Sequence, residues 1–335
     1  MGMDWFEELT GFKEREYDET RRNLEVVGER LRSKVNNRSY RIGSLETPSL
    51  AELRTRAAKI IGDLAGKLSV TNISGDIRTI HGEPASANAL FQVASQFNLL
   101  EMTGPDVTPE HGVTRYEHDR TQGPACAIAA GAATIYRNFF APVEGEIGQT
   151  RHRQLDCLHD IGVALGNEDG GLWQMRNGYA LCSSSGLARI ERNLDALAPR
   201  ERDALRGKLR IGLHWNVEVT AAQEAKQSVS QAFCSALPVS YTRVPQAKWQ
   251  SFATLVLEGT YEATLWAAAL NAASDYSRKV FLTRVGGGAF GNHKSWIDAA
   301  MHRALDEARK LDLEVFIVSH GPPDRELLQL TEAFR

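Results

Sequence analysis

The spacing of apolar residues changes character near residue 68. Before it, Leu53, Ala57, Ile60, Ile61, Leu64 and Leu68 recur at helical intervals and predict a helix over residues 50–68. Residues 12–31 are rich in Glu and Arg, with few large apolar side chains, and read as a solvated helical stretch. Residues 39–49 contain Gly43 and Pro48 and read as a linker. Residues 1–67 are therefore expected to form a helical N-terminal extension, a cap without chemistry of its own. The main domain is expected to span residues 68–335.

Beyond residue 68, short β-branched and aromatic runs alternate with longer helical patterns. Strands are predicted over residues 68–74, 89–95, 179–184, 208–220, 229–237, 280–285 and 315–319. Helices are predicted over 123–137, 249–276 and 293–310, and Asn177-Gly178 is a hairpin turn signal. Alternation of this kind predicts an α/β fold, with a mostly parallel or mixed sheet flanked by helices on both faces. Functional residues then belong on loops beyond the carboxyl ends of the strands. The loops after Ser74, Asn98 and Val285 qualify.

Charge narrows the possible partners. Lys and Arg number 39 against 42 Asp and Glu, so nothing points to nucleic acid. No stretch approaches the roughly 18 apolar residues that span a bilayer, so no membrane role is expected. The start is charged from its fourth residue and lacks the apolar core of a secretory signal. The four cysteines are scattered without a CxxC pair, and Cys126, Cys182 and Cys234 lie in apolar runs. Buried, reduced thiols in a cytoplasmic protein are the expectation.

Three loops carry candidate chemistry. After the run ending at Val285 come Gly286, Gly287, Gly288, Ala289, Phe290, Gly291 and Asn292, then an amphipathic helix. Glycines let backbone N–H groups approach a phosphate, and the following helix favours negative charge. A tight turn alone would need one such glycine, so the cluster predicts a diphosphate cradle. Phe290 would be oddly exposed there unless it packs against a ligand. Asp76 follows a strand end and could accept from an exocyclic amine; taken alone, it reads as a turn residue capping its own backbone.

The long loop over residues 103–122 holds Asp106, Glu110, Glu117, Asp119, His111 and His118. Loops longer than about 15 residues without regular structure are usually functional or disordered, and the prolines here argue against disorder. A carboxylate could orient or deprotonate a water attacking an anomeric carbon, and its charge would stabilise an oxocarbenium-like transition state. Locally extended backbone would put Glu117 and Asp119 on one face. His111, His118 and Asp119 could instead gather a metal, but no HxxxH or HExxH pattern supports it and none is expected. Arg137, near the end of the following helix, reads as a solvated helix-end cation.

Together these loops resemble the macrodomain superfamily. Gly75-Asp76-Ile77-Arg78 resembles the Gly-Asp-Ile-Thr strand end of that family. Val93-Ala-Ser-Gln-Phe-Asn98 loosely resembles its Asn-Ala-Ala-Asn motif, keeping the final Asn. Gly286-Gly-Gly-Ala-Phe-Gly291 resembles its second phosphate loop. Residues 91–102, 121–126, 233–238 and 286–292 are similar to the divergent MavL-type ADP-ribosyl hydrolases, which act on ubiquitin.

The resemblance implies a macrodomain-like fold that binds ADP-ribose without a cofactor. It implies Asp76 and Ile77 at adenine and Asn98 near the distal ribose. Gln122, Gly123, Gly286, Gly287 and Gly288 would lie at the diphosphate, with Ala289, Gly291 and Asn292 completing the loop and Phe290 over the ribose. Asp106, Glu117 and Asp119 would face the anomeric carbon. The implied activity is removal of mono-ADP-ribose from a modified protein, with ubiquitin as one candidate. A non-catalytic ADP-ribose reader and a hydrolase of a small NAD-derived metabolite are the alternatives. The chain lacks the first four-glycine loop of ordinary macrodomains and the Gly-X6-8-Gln-Glu-Glu signature of poly(ADP-ribose) glycohydrolases.

Overall fold

The computed structural model describes residues 2–221 and 226–334. Seven strands form the central sheet: β1 (Ser44–Glu46), β2 (Ser69–Ser74), β3 (Leu90–Ala94), β4 (Gly212–Glu218), β5 (Ser228–Cys234), β6 (Lys279–Leu282) and β7 (Glu314–Ser319). Their order is β1-β4-β5-β3-β6-β7-β2. Pairing is parallel from β5 through β3, β6 and β7 to β2, whereas β1 and β4 join antiparallel. The fold is thus α/β, a mixed sheet flanked by helices, as the alternating pattern predicts.

Central strand β3 explains why its sequence does not alternate. Leu90, Phe91, Gln92 and Val93 are all buried, because a strand covered on both faces has no solvent side. The helix α4 (Gln250–Ala273) is buried along most of its length, and its many alanines let neighbours approach. It packs against α1 (Leu50–Ala57) and α5 (Lys294–Glu307). The predicted helix over 123–137 is two helices, α2 (Gln122–Ala129) and α3 (Gly131–Phe139), broken at Ala130. The predicted strand near residue 180 exists as Tyr179–Cys182 but stays out of the central sheet. It pairs with Trp173–Arg176 across the left-handed Asn177-Gly178 turn.

The region before residue 68 departs most from expectation. Helices form at Trp5–Thr10, Tyr17–Arg22 and α1, the last with a Ser49/Glu52 capping box. The helix predicted to reach residue 68 stops at Ala57, with a 3-10 turn following at Ile61–Leu64. Between the helices the chain is β: Leu24–Val27, Arg30–Ser33 and Ser39–Arg41 form an antiparallel meander, and β1 is an edge of the central sheet. The reason is a period of two, with Leu31 and Ser33 buried and Arg30 and Arg32 exposed, and turns at Gly28 and Asn37 in the left-handed region. This meander is too short and polar to read as sheet from sequence. Leu24, Leu31 and Ile42 join Trp5, Phe6 and Leu9 in a second core against Val113, Tyr116, Ala132 and Phe139.

No helix among the described residues is long and apolar enough to cross a membrane. Cys126, Cys157, Cys182 and Cys234 are buried and unpaired.

One buried carboxylate fastens three helices. Glu262 on α4 is 3 % exposed and accepts from Arg54 on α1, from Arg303 on α5 at 2.7 Å, and from the Trp266 indole at 3.1 Å. Removing it takes from Arg54 and Arg303 their shared buried acceptor and leaves them the more exposed Asp203 and Glu307. Glu262→Ala is expected to cost about 2–3 kcal/mol, read from urea unfolding, and Glu262→Gln less.

Candidate functional site

The carboxyl ends of β3, β5, β6 and β7 open on one cleft of about 350 Å³, within the usual range for a small-ligand site. Ala94–Gln96 and Glu101–Thr103 form one wall, Asp119–Pro124 a second, and the glycine loop a third. Tyr179, Tyr241 and His320 complete the rim.

The glycine loop is shaped by its first and last glycines. Gly286 and Gly291 take left-handed φ of 78° and 70°. A Cβ at Gly286 would collide with Ala236, and one at Gly291 with Ser240. Asn292 locks the loop from behind, its Nδ2 donating to Leu237 O at 2.8 Å and its N–H to Gly286 O at 2.9 Å. Gly288 is open, with nothing within 4 Å of an added Cβ. Among the described residues, the amides of Gly288, Ala289 and Phe290 have no protein acceptor. Across the cleft, α2 begins at Gln122 with no side-chain cap, so its first amides are also unsatisfied. Two sets of free N–H groups therefore border one cavity, an arrangement suited to an anion.

Gly123 lies where α2 meets β3. A Cβ there would run into Ala94 O and the Glu101 carboxylate. The Gln122 side chain is committed to the same joint, with Nε2 donating to Gln92 O and Oε1 accepting from Ala94 N, each at 2.8 Å.

Two carboxyl groups line the cleft. Asp119 is half-buried, and its Oδ1 accepts from Thr121 N at 2.8 Å. Glu101 was not singled out by the motifs. It is 2 % exposed, and its Oε1 is buried without a hydrogen-bond partner. Burial pushes its carboxyl well above the ordinary carboxylate range, opposed by the nearby Arg137 and assisted by the charge of Asp119. Its N–H donates to the hydroxyl of the buried Tyr116 at 3.0 Å. The available signal was a lone acid in the apolar run Leu99-Leu100-Glu101-Met102.

Of the residues expected from sequence, the cleft brings together Asp119, Gln122, Gly123, Gly286, Gly288, Ala289 and Phe290. The others lie outside its lining. Asp106 is exposed and paired with Arg176. Glu117 sits in the 3-10 turn Thr114–His118 beside His118, so the extended geometry that would align it with Asp119 does not occur. Asp76 caps the helix Ile77–Gly82, accepting from Arg78 N at 3.0 Å, and Ile77 is buried in the core. Asn98 is buried, donating to Gln154 and accepting from Leu100 N. Gly287, Gly291 and Asn292 belong to the loop without lining the cavity. Phe290 is half-buried against Tyr179 and Tyr241, ring centroids 5.3 and 5.6 Å away, so packing as well as a ligand accounts for it. Among the described residues no cluster of three His, Cys, Asp or Glu side chains is placed to hold a metal.

No family model matches the sequence, and no curated protein matches it. Among solved structures, the chain aligns with poly(ADP-ribose) glycohydrolase from Deinococcus radiodurans in complex with ADP-ribose. That match has 10% identity and a TM-score of 0.45, covering 87% of this chain and 93% of the other. It also aligns with the glycohydrolase from Thermomonospora curvata, at 12% identity and a TM-score of 0.42, covering 93% of each chain. At such values the likeness decides nothing about the chemistry of the cleft, which rests on its own residues.

Two stability effects follow from this geometry. Gly123→Ala is expected to cost about 1–3 kcal/mol from the forced collision, and Gly288→Ala close to nothing, both read from urea unfolding. Glu101 holds its proton longer in the folded chain than in the unfolded one. Its stabilising contribution is therefore full below the ordinary carboxylate value and is lost as pH rises. Stability measured from about pH 5 to pH 8 should fall with pH through this group, and Glu101→Gln should remove that component.

Proposed function

We propose that this chain is a macrodomain-like hydrolase that binds ADP-ribose in the cleft and cleaves the bond at its distal anomeric carbon. The substrate is a protein carrying mono-ADP-ribose. One observation carries the reading: two sets of unsatisfied amides, at residues 288–290 and at the start of α2, border the same cavity as the Glu101 and Asp119 carboxyls. The amides suit a diphosphate, and the carboxyls suit a glycosidic or ester centre beside it. The resemblance of the glycine loop and of residues 91–102 to MavL-type macrodomains supports the same reading. Ubiquitin as the carrier protein rests on that resemblance alone.

In this reading Asp119 orients the attacking water and takes its proton. Its negative charge also stabilises the oxocarbenium-like centre. Glu101, kept neutral by burial, gives its proton to the departing oxygen as the bond to the anomeric carbon breaks. One proton is released to Asp119 and one leaves Glu101, so exchange with solvent restores both groups. Gly286, Gly288, Ala289 and Gly123 flank the diphosphate, and Phe290 with Tyr179 and Tyr241 flanks the ribose. Asp76, Ile77, Asn98, Asp106 and Glu117 lie outside the cavity lining, and the chemistry is assigned to Asp119 and Glu101.

The test is release of free ADP-ribose from proteins modified at arginine, serine, glutamate or aspartate, with modified ubiquitin among them. Wild type should act on at least one linkage, and Asp119→Asn should lower kcat by about a hundredfold or more while still binding ADP-ribose. Gly288→Glu has room to fold and should abolish ADP-ribose binding in calorimetry, because it puts bulk and negative charge against the diphosphate. Binding without turnover on every linkage would make the protein a reader. Unchanged affinity in folded Gly288→Glu would remove the diphosphate assignment.

A further inference from the structure

The stretch that delivers Asp119 to the cleft has little structure of its own. Between β3 and α2 the chain forms two 3-10 turns, Pro109–His111 and Thr114–His118, and no strand or α-helix. The second turn has no side-chain cap from its neighbours in sequence. Its free amides are satisfied from far away.

Glu14, about a hundred residues upstream, supplies the missing cap. Both its carboxylate oxygens accept from Val113 N at 2.9 Å, and Oε2 also accepts from Thr114 N at 2.7 Å. These carboxyl oxygens supply the side-chain acceptor that the turn lacks from its own sequence, as a capping residue does. The Trp5 indole donates to Thr114 O at 3.1 Å, gripping the same residue from its other side. Gly112, with φ of 76°, passes so near that a Cβ would collide with the Glu14 carboxyl. Behind these contacts, Trp5, Phe6 and Leu9 share a core with Val113 and Tyr116.

From the gripped turn the contacts lead directly into the cleft. The Tyr116 hydroxyl accepts from Glu101 N, and Tyr116 O accepts from Asp119 N at 3.1 Å. Displacing the turn would move both carboxyls relative to the amide cradle.

We infer that the N-terminal segment is a working part of the cleft, and that Glu14 is a positioning residue holding the 112–119 turn where Asp119 and Glu101 can act together. The inference rests on the hydrolase reading for its kinetic consequence and on geometry alone for the clamp. Glu14 touches no reacting atom. Its effect is therefore on turnover, while the glycine loop, which it does not contact, keeps its hold on the diphosphate.

The experiment uses the full chain as wild type, Glu14→Ala, Glu14→Gln and Trp5→Phe. Three quantities are compared: kcat and KM for ADP-ribose release, ADP-ribose affinity by calorimetry, and amide hydrogen exchange over residues 109–121. Glu14→Ala should lower kcat about ten- to a hundredfold, since small misplacements of a catalytic group carry losses of that order. Its ADP-ribose affinity should stay within about threefold, and exchange at Val113 and Thr114 should rise. Glu14→Gln retains one acceptor oxygen and should recover part of kcat. Trp5→Phe keeps the packing and should show a smaller change in the same direction. Wild-type kcat in a folded Glu14→Ala would overturn the inference. So would a proportional fall of kcat, affinity and thermal stability, which marks general unfolding. If wild type releases no ADP-ribose, the hydrolase reading fails, and exchange at residues 113 and 114 alone decides for or against the clamp.

Discussion

A single buried guanidinium sets the geometry on which the cleft depends. Arg137 on α3 is fully buried, with its Nε donating to Leu99 O at 3.1 Å and its Nη2 to the Thr134 hydroxyl at 2.8 Å. Its Nη1 lies 3.2 Å from His214 Nδ1 on β4, and its Cζ lies 3.8 Å from the centre of the Phe233 ring on β5. Burial and the Arg137 charge both hold His214 well below the usual histidine range, so the imidazole is neutral and can accept. One cation therefore ties α3, two strands and the turn that leaves β3. That turn carries Leu99 in the left-handed region, a conformation disfavoured for a leucine and held by its surroundings. Glu101 follows two residues later, and its position against Gly123 is inherited from this arrangement.

Burying a charge is costly unless it is paired or hydrogen-bonded. Here hydrogen bonds to Leu99 O and Thr134 and the face of the Phe233 ring hold the Arg137 guanidinium, while burial lowers its proton affinity and raises that of the nearby Glu101 carboxyl. The carboxyl stays at the cavity wall with an unpartnered oxygen, while the guanidinium lies behind it. This division puts a carboxyl with raised proton affinity on the cavity side and a guanidinium on the core side. The amides around residue 288 and at the start of α2 supply the opposite character, donors without acceptors.

Much of the sheet was legible from sequence because its strands are apolar runs ended by glycines or polar turns. β2, β3, β5, β6 and β7 all fall within a few residues of the predicted runs. The glycine loop was legible as a feature for a similar reason, since its glycines are adjacent in sequence, whereas the sequence offered Asp106, Glu117 and Asp119 alike. What escaped was set by partners distant in the chain. Arg137 looks like a surface cation until Phe233, His214 and Leu99 surround it. Glu101 looks like an interruption of an apolar run until the absence of a Cβ at Gly123 makes room for its carboxylate. Asp106 and Glu117 are carboxyl side chains like Asp119, but Asp106 pairs with Arg176 outside the cavity and the 3-10 turn after Val113 keeps Glu117 off its lining. The meander over residues 24–41 escaped because its strands are four residues or fewer and mostly polar on the surface.

The edge strand β1 has a bearing on the time course of assembly. It comes from the first fifty residues, yet its partner is β4, and Glu46 accepts from the Trp215 indole across 169 positions of chain. Loop closure over such separations is slow compared with local contacts. Strand β1 cannot take its place in the sheet until the strand around residue 215 has emerged during synthesis. The apolar side chains of the N-terminal segment, Trp5, Phe6, Leu9, Leu31 and Ile42 among them, stay without their native cover from residues 113–139 until those too have emerged.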